Sequence, residues 1–253
     1  MAALLTVSLC GIGLPLDDYV NRPEKVFNWQ DTGVTVKPLD GLLGATAYIL
    51  NVTSLEWLDT TKVSGPNGAI WSHQVAVVVP HTVKTNVSLI YLTGGCNEHP
   101  SPPGATDEEL LVVARVAQQT GAIGVVVYQI PNCPLVFASD PSQRGRGEDA
   151  LIAWSWIDFV HDPTYDPERL VRLPMVKAAF ACMRAAEQFT AQRQLGSPDG
   201  WIVAGASKRG WTTWMVGAAA AGCTNCSRVV ALAPLVPIVP DIRAEVHRQW
   251  QSY

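Results

Sequence analysis

The sequence predicts an α/β protein: a mainly parallel sheet with helices on both faces, entered through antiparallel strands on the N-terminal side. Three observations predict it. From Val87 onward, apolar runs of strand length alternate with segments of helical period. Runs such as Val125-Val126-Val127 and Val229-Val230-Ala231-Leu232-Ala233 are apolar at successive positions, so both faces of those strands need cover. Finally, Trp201 to Ala221 reads as a short apolar strand, a sharp turn at Ser207 and a helix.

Taken in order, Leu16 to Pro38 is polar and turn-rich, with Tyr19, Phe27 and Trp29 at intervals, and reads as an irregular lead-in. Ala45 to Trp57 alternates over part of its length, the signal of a half-buried strand. Asn67-Gly68 marks a turn, and Trp71 to Val79 is a second strand ended by Pro80, so the two form an antiparallel pair. Val87 to Leu92 is a buried strand, followed by Thr93-Gly94-Gly95-Cys96 and a proline-rich loop. Thr106 and Glu109 fit a capping box, and Leu110, Val113, Ala114 and Ala117 give the next helix its apolar face up to Gly121. Gly124 to Tyr128 is a strand closed by Pro131, and Glu148 to Phe159 a tryptophan-containing helix. Met175, Ala178, Ala179, Cys182, Ala186 and Phe189 mark one face of a long helix ending by Gly196. After the helix that follows Ser207, Val229 to Ala233 is another buried strand.

Gly205-Ala206-Ser207-Lys208-Arg209-Gly210 has the layout of a nucleophile elbow in an α/β-hydrolase, in which small flanking residues let strand and helix approach while the turn lifts a hydroxyl clear of the sheet. The usual pattern is G-x-S-x-G; here Arg209 holds the second glycine position. The plainer alternative is a strand-to-helix turn with a capping serine. The position favours the elbow, because Ser207 follows the third consecutive parallel strand, counting those at Val87, Gly124 and Trp201. Such a serine needs an oxyanion hole, a general base and an orienting carboxylate. The backbone N–H of Lys208 is one expected oxyanion donor, and Gly95 and Cys96, in the loop after the first parallel strand, supply the others. The Lys208 side chain either helps an oxyanion electrostatically or is a surface charge at the mouth of the elbow. The order Ser, acid, His leaves Asp241, Glu245 and His247 as the residues after Ser207, on too little chain to separate acid from base. The chain is therefore expected to stop before the rest of the sheet, as a C-terminally truncated piece.

Hydrophobic residues make up 48% and charged residues 16% of the 253 positions, enough for a sizeable core and too few charges for disorder. A net charge of −4 excludes the electrostatic footprint of a nucleic-acid binder, and no Lys/Arg cluster addresses an anionic membrane. Ala2 to Gly13 is apolar, too short to span a bilayer, and resembles the core of a signal peptide over residues 1–15, though no Lys or Arg precedes it; a frayed strand is the alternative. Residues 16–253 are then read as the N-terminal part of one hydrolase domain. Asn51, Asn86 and Asn225 open N-glycosylation sequons. Cys223 and Cys226 follow a helix C-terminus, where a structural disulfide is expected rather than a redox site. Cys96 and Cys133 both follow adjacent parallel strands at the same edge and are expected to pair, leaving Cys182 as a free thiol. No second ligand pair accompanies the CxxC, so no metal is expected, and no cofactor is called for.

Several blocks in this order resemble the PhoPQ-activated pathogenicity-related protein family, which includes autocrine proliferation repressor proteins. They are Leu16 to Val20, Trp71-Ser72-His73, Gly94-Gly95, Gln129 to Asn132 with Pro134-Leu135, Glu148-Asp149-Ala150 with Trp154-Ser155-Trp156, and above all Gly205 to Trp211. The resemblance runs from about Leu16 to the chain end. It implies an α/β-hydrolase fold related to secreted serine peptidases and esterases, an extracellular location, and Arg209 as a family feature. It leaves two functions open. One is acyl transfer on a peptide or ester through Ser207, with this chain inactive alone. The other is a non-catalytic signal that restrains proliferation through a cell-surface receptor.

Overall fold

The computed structural model describes residues 15–236. The elements are α1 (Pro15–Asn21), β1 (Asn28–Val36), β2 (Ala45–Glu56), β3 (Val63–Ser64), β4 (Ile70–Pro80), β5 (Val87–Leu92), α2 (Glu108–Thr120), β6 (Gly124–Val127), β7 (Val136–Phe137), α3 (Glu148–His161), α4 (Arg172–Gln192), β8 (Gly200–Ala206), α5 (Lys208–Gly222) and β9 (Val229–Leu235). Seven strands form one sheet in the order β1-β2-β4-β6-β5-β8-β9, and β3 pairs with β7 outside it.

The sheet is evenly mixed. β1, β2, β4 and β6 pair antiparallel in succession, and β6, β5, β8 and β9 pair parallel. The three parallel segments read from the sequence are thus neighbours, with β5 between β6 and β8. From β5 the chain crosses through α2 to β6 on one side, then returns through α3 and α4 to β8 on the other. The carboxyl end of β5 therefore lies where successive connections leave in opposite directions, the place where open α/β sheets form a crevice.

Each face of the sheet has its own core. Ala47, Ile49, Ala76, Val78 and Val126 pack under Leu110, Val113, Ala114 and Ala117 of α2. Leu50, Val75, Val77, Ile90 and Val203 pack against Met175, Cys182 and Phe189 of α4 and Val216 of α5. β2 therefore has both faces covered along its centre rather than being half-buried, since Ile49 and Leu50 enter opposite cores and neither is exposed.

Three other expectations change. The lead-in is ordered: α1 buries Tyr19 and Val20, and β1 pairs with β2 from Asn28↔Thr53 to Val36↔Ala47. A register irregularity between Asp31 and Thr35 breaks the alternation that would have marked the strand in the sequence. The capping box does not form. Asp107 is the N-cap of α2, its carboxylate accepting the Leu110 N–H at 2.9 Å, while Glu109 accepts from the Thr93 hydroxyl at 2.9 Å instead. Asp one residue closer to the helix caps at least as well as Thr. Lastly, β9 is not buried: Val230 and Leu235 are 41% and 47% exposed. Among the described residues β9 pairs only with β8, so one edge has no partner.

Candidate functional site: the Ser207 elbow and the loop after β5

Ser207 is the single residue between β8 and α5. Its backbone sits at φ 55°, ψ −119°, a sparsely populated conformation costing about 1–3 kcal/mol and typical of functional turns. Its N–H is held by the Leu235 carbonyl of β9 at 2.9 Å. The side chain is exposed and makes no capping bond, which removes the capping-serine alternative. Gly205 is required below it, because a Cβ there would stand 2.8 Å from the Arg209 Cβ and 2.9 Å from the Arg209 carbonyl oxygen.

The β5–β8 register ends at Leu92↔Gly205, so two residues further on Gly94 comes level with Ser207. Gly95 adopts φ 102°, a conformation that glycine alone takes without strain. The loop is fastened to the one after β6. Gly94 and Thr93 carbonyls accept from Gln129 and Ile130 N–H at 2.7 and 3.0 Å, and Asn97 N–H reaches the Cys133 carbonyl at 2.5 Å. The Cys96–Cys133 disulfide forms as expected, with the Cα atoms 4.6 Å apart. Among the described residues the N–H groups of Gly95, Cys96 and Lys208 meet no acceptor; the last is a first-turn amide, which no helix can satisfy internally.

The Lys208 side chain meets neither expectation. It is buried, 8% exposed, and its Nζ lies 2.7 Å from Glu148 Oε2 and 2.8 Å from Asp149 Oδ1. An ammonium neutralised by two carboxylates is neither a surface charge nor a donor free for an oxyanion. Arg209 joins the same cluster, with Nη2 on Glu148 Oε1 and Nε on the Ile130 carbonyl, both at 2.5 Å. A Cβ on Gly94 would collide with that guanidinium at 2.6 Å. Arg172 donates to the Lys208 carbonyl at 2.8 Å and lies over the Trp211 ring. Burial, with Arg209 nearby, pushes Arg172 down to about 10, so it keeps its charge at neutral pH. Burial alone would raise Glu148, but hydrogen bonds from Arg209 and Lys208 outweigh it and hold the carboxyl below its usual range.

Among the described residues no hydrogen bond joins Ser207 to a histidine. His73 is buried in β4 between the Ser54 hydroxyl at 2.8 Å and the Tyr128 carbonyl at 3.1 Å, and burial pushes it down to about 4. Asp241, Glu245, His247 and the apolar N-terminal stretch lie outside the described residues. Cys223 and Cys226 are bonded at the far end of α5 from Ser207, and Cys182 is free and buried. Asn51, Asn86 and Asn225 are exposed. Among the described residues no group of His, Cys, Asp or Glu is placed to hold a metal ion, and no helix is long and apolar enough to cross a membrane. Sequence reasoning missed Glu148 and Arg172 as parts of the site, and Gln129 beside it. Gln129 and Glu148 stand at positive φ (59° and 52°) and Arg172 is buried at the first residue of α4, features visible only in three dimensions.

The autocrine proliferation repressor protein A of Dictyostelium discoideum is 38% identical over 217 residues, which is 85% of this chain and 40% of that protein. The chain thus spans less than half the length of that relative. Solved structures similar in fold include an acetyl xylan esterase from Paenibacillus sp. R4, at 14% identity and TM-score 0.47 over 92% of this chain and 60% of that one. Another is a putative hydrolase from Legionella pneumophila, at 14% identity and TM-score 0.46 over 83% of this chain and 51% of that one. Residues 16–253 match the family described as PhoPQ-activated pathogenicity-related protein, and the chain belongs to that family.

Proposed function

We propose that this chain carries the nucleophile and the oxyanion hole of a secreted serine hydrolase acting on an ester or peptide carbonyl. The observation that carries the reading is the exposed, strained Ser207 level with a glycine loop whose amides have no acceptor among the described residues. Ser207 Oγ attacks the carbonyl, and the oxyanion that forms is held by the N–H groups of Lys208, Gly95 and Cys96. The serine proton passes to a general base outside the described residues and on to the leaving alcohol or amine; water then releases the acyl group and restores the hydroxyl. Secretion is supported by two disulfides, three exposed sequon asparagines and the apolar N-terminal stretch. The chain by itself is proposed to be inactive, a reading supported by its spanning less than half the length of the autocrine relative and by the lack of a hydrogen bond from Ser207 to any histidine among the described residues. The test is a fluorophosphonate probe on the full-length protein. Wild type labels and Ser207→Ala does not; persistent labelling of the variant defeats the assignment.

A second reading rests on the relative named as an autocrine proliferation repressor. In it the protein is an extracellular signal acting through a cell-surface receptor, without catalysis and without nucleic acid. Purified protein applied to responsive cells separates the two. Equal activity of Ser207→Ala favours the signal alone, and loss of activity ties signalling to the serine.

A further inference from the structure

A concavity of about 320 Å³ opens beside the oxyanion loop, on the side away from β8. Its walls include Gly95, Pro100, Pro102, Asp107, Tyr128 and Gln129. Gln129 is only 4% exposed and its backbone is held at φ 59°, so it is a fixed feature of the wall rather than a surface side chain. The Gln74 N–H donates to its Oε1 at 2.7 Å. That bond settles which end of the amide is oxygen, and Nε2 is left 4.0 Å from where a Cβ on Gly95 would stand. Among the described residues Nε2 has no acceptor. The Asp107 carboxylate is half engaged: Oδ1 accepts from Tyr128 OH at 2.7 Å and from Leu110 N–H, and Oδ2 accepts from no described residue.

We propose that this concavity binds one hydroxylated ring of sugar size, as the part of the ester next to the scissile carbonyl. The inference rests on Ser207 and the Gly95 loop being the reacting centre, and it names the class of substrate they serve. A hydroxyl donates and accepts at once, so the open amide N–H of Gln129 and the open carboxylate oxygen of Asp107, both residues of the lining, can each take a ring hydroxyl. The proline rings and the Tyr128 face offer a short apolar surface suited to the C–H face of such a ring. Among the described residues the Asp107 carboxylate lines the concavity and no lysine or arginine does, which disfavours a carboxylated or phosphorylated group; His99, also on the lining, adds a ring nitrogen able to bond a hydroxyl. The volume stands at the lower end of the roughly 300–1,000 Å³ usual for ligand sites, so it fits one ring and not a long acyl chain.

The experiment is saturation-transfer NMR on the full-length protein with methyl β-D-glucopyranoside as probe and hexanoate as the aliphatic competitor. Transfer to the ring protons is expected, with none displaced by hexanoate. Gln129→Glu, which keeps the oxygen that accepts the Gln74 N–H and removes the donor, weakens binding at least roughly fivefold, the value of one hydrogen bond. Ser101→Trp, on the exposed rim, fills the concavity without touching the core and abolishes transfer. Absence of transfer in wild type, equal transfer in Ser101→Trp, or preference for hexanoate overturns the proposal. Binding needs no reaction, so Ser207→Ala keeps the transfer. A protein that binds the probe but resists fluorophosphonate has lost the hydrolase reading and kept the ring site; one that labels but does not bind has done the reverse.

Discussion

The Arg209 guanidinium occupies the space that a side chain on Gly94 would need, and Glu148 fixes it there through a 2.5 Å contact to Nη2. Elbow helix, β5 loop and the start of α3 are thereby locked by one residue that stands where the usual elbow pattern has glycine. The lock explains how the G-x-S-x-G pattern tolerates arginine: the Arg209 Cβ rests over Gly205, and its head finds room over Gly94.

Gly94→Ala places a methyl 2.6 Å from Arg209 Nη2 and 3.1 Å from Glu148 Oε1. Overpacking of this kind costs about 1–3 kcal/mol. The loop carrying the Gly95 and Cys96 amides shifts as well, so fluorophosphonate labelling slows more than stability falls. Labelling kinetics beside thermal unfolding check this, and a variant that melts earlier but labels at the wild-type rate counts against the lock.

Glu148→Gln removes the acceptor charge facing Lys208 and Arg209, whose side chains are 8% and 12% exposed. Because the Glu148 carboxyl is held below its usual range in the folded protein, the unfolded chain binds its proton first as pH falls. Its stabilisation is therefore present above the ordinary carboxylate range and is lost as pH drops through the lowered value. Urea unfolding from pH 6 down to pH 3 shows a shallower acid loss in the variant than in wild type. Parallel curves refute the assignment.

His73 behaves in the same sense for a different reason. Burial lowers it to about 4 against an ordinary value near 6.5, so between those values the unfolded chain takes up a proton that the folded protein refuses. Stability is complete above about pH 6.5 and falls by up to about 3 kcal/mol as pH approaches 4. His73→Gln is expected to flatten this interval, measured as the difference in urea midpoint between pH 7 and pH 5.

The Cys96–Cys133 bond closes a loop of 37 residues, and its removal costs about 2–4 kcal/mol. Cys223–Cys226 spans only three residues and contributes far less. Cys96→Ser thus lowers the urea midpoint clearly and Cys223→Ser barely. Peptide mapping without reductant finds both pairs, with Cys182 alkylated only after unfolding because it is buried.

Much of this was legible in the chain. β5, from Val87 to Leu92, and the apolar face of α2 were readable because their patterns are continuous and local. The strand, turn and helix around Ser207 were readable from small residues beside one serine, and the Cys96–Cys133 pair from two adjacent strand ends. β1 was not, because its register irregularity interrupts the alternation, and the cap of α2 moved to Asp107 because Thr93 captured Glu109. The exposure of β9 was hidden by its apolar composition, which records what a strand can be covered by and not what covers it.

The sequence by itself determined the alternation of the main-sheet strands and helices from β5 to β9, the serine at the turn and the glycines that let backbones approach, since periodicity and steric size act between near neighbours. Only the tertiary structure decided that Lys208 is buried against Glu148 and Asp149, that Arg209 reaches Ile130, and that the Gln129 amide, its oxygen on Gln74 N–H, leaves Nε2 near Gly95 without an acceptor among the described residues. Those contacts join residues about 60 to 80 positions apart or depend on a positive φ. Charge pairing and orientation across such distances are set by how the chain packs, and no local pattern of residue types encodes them.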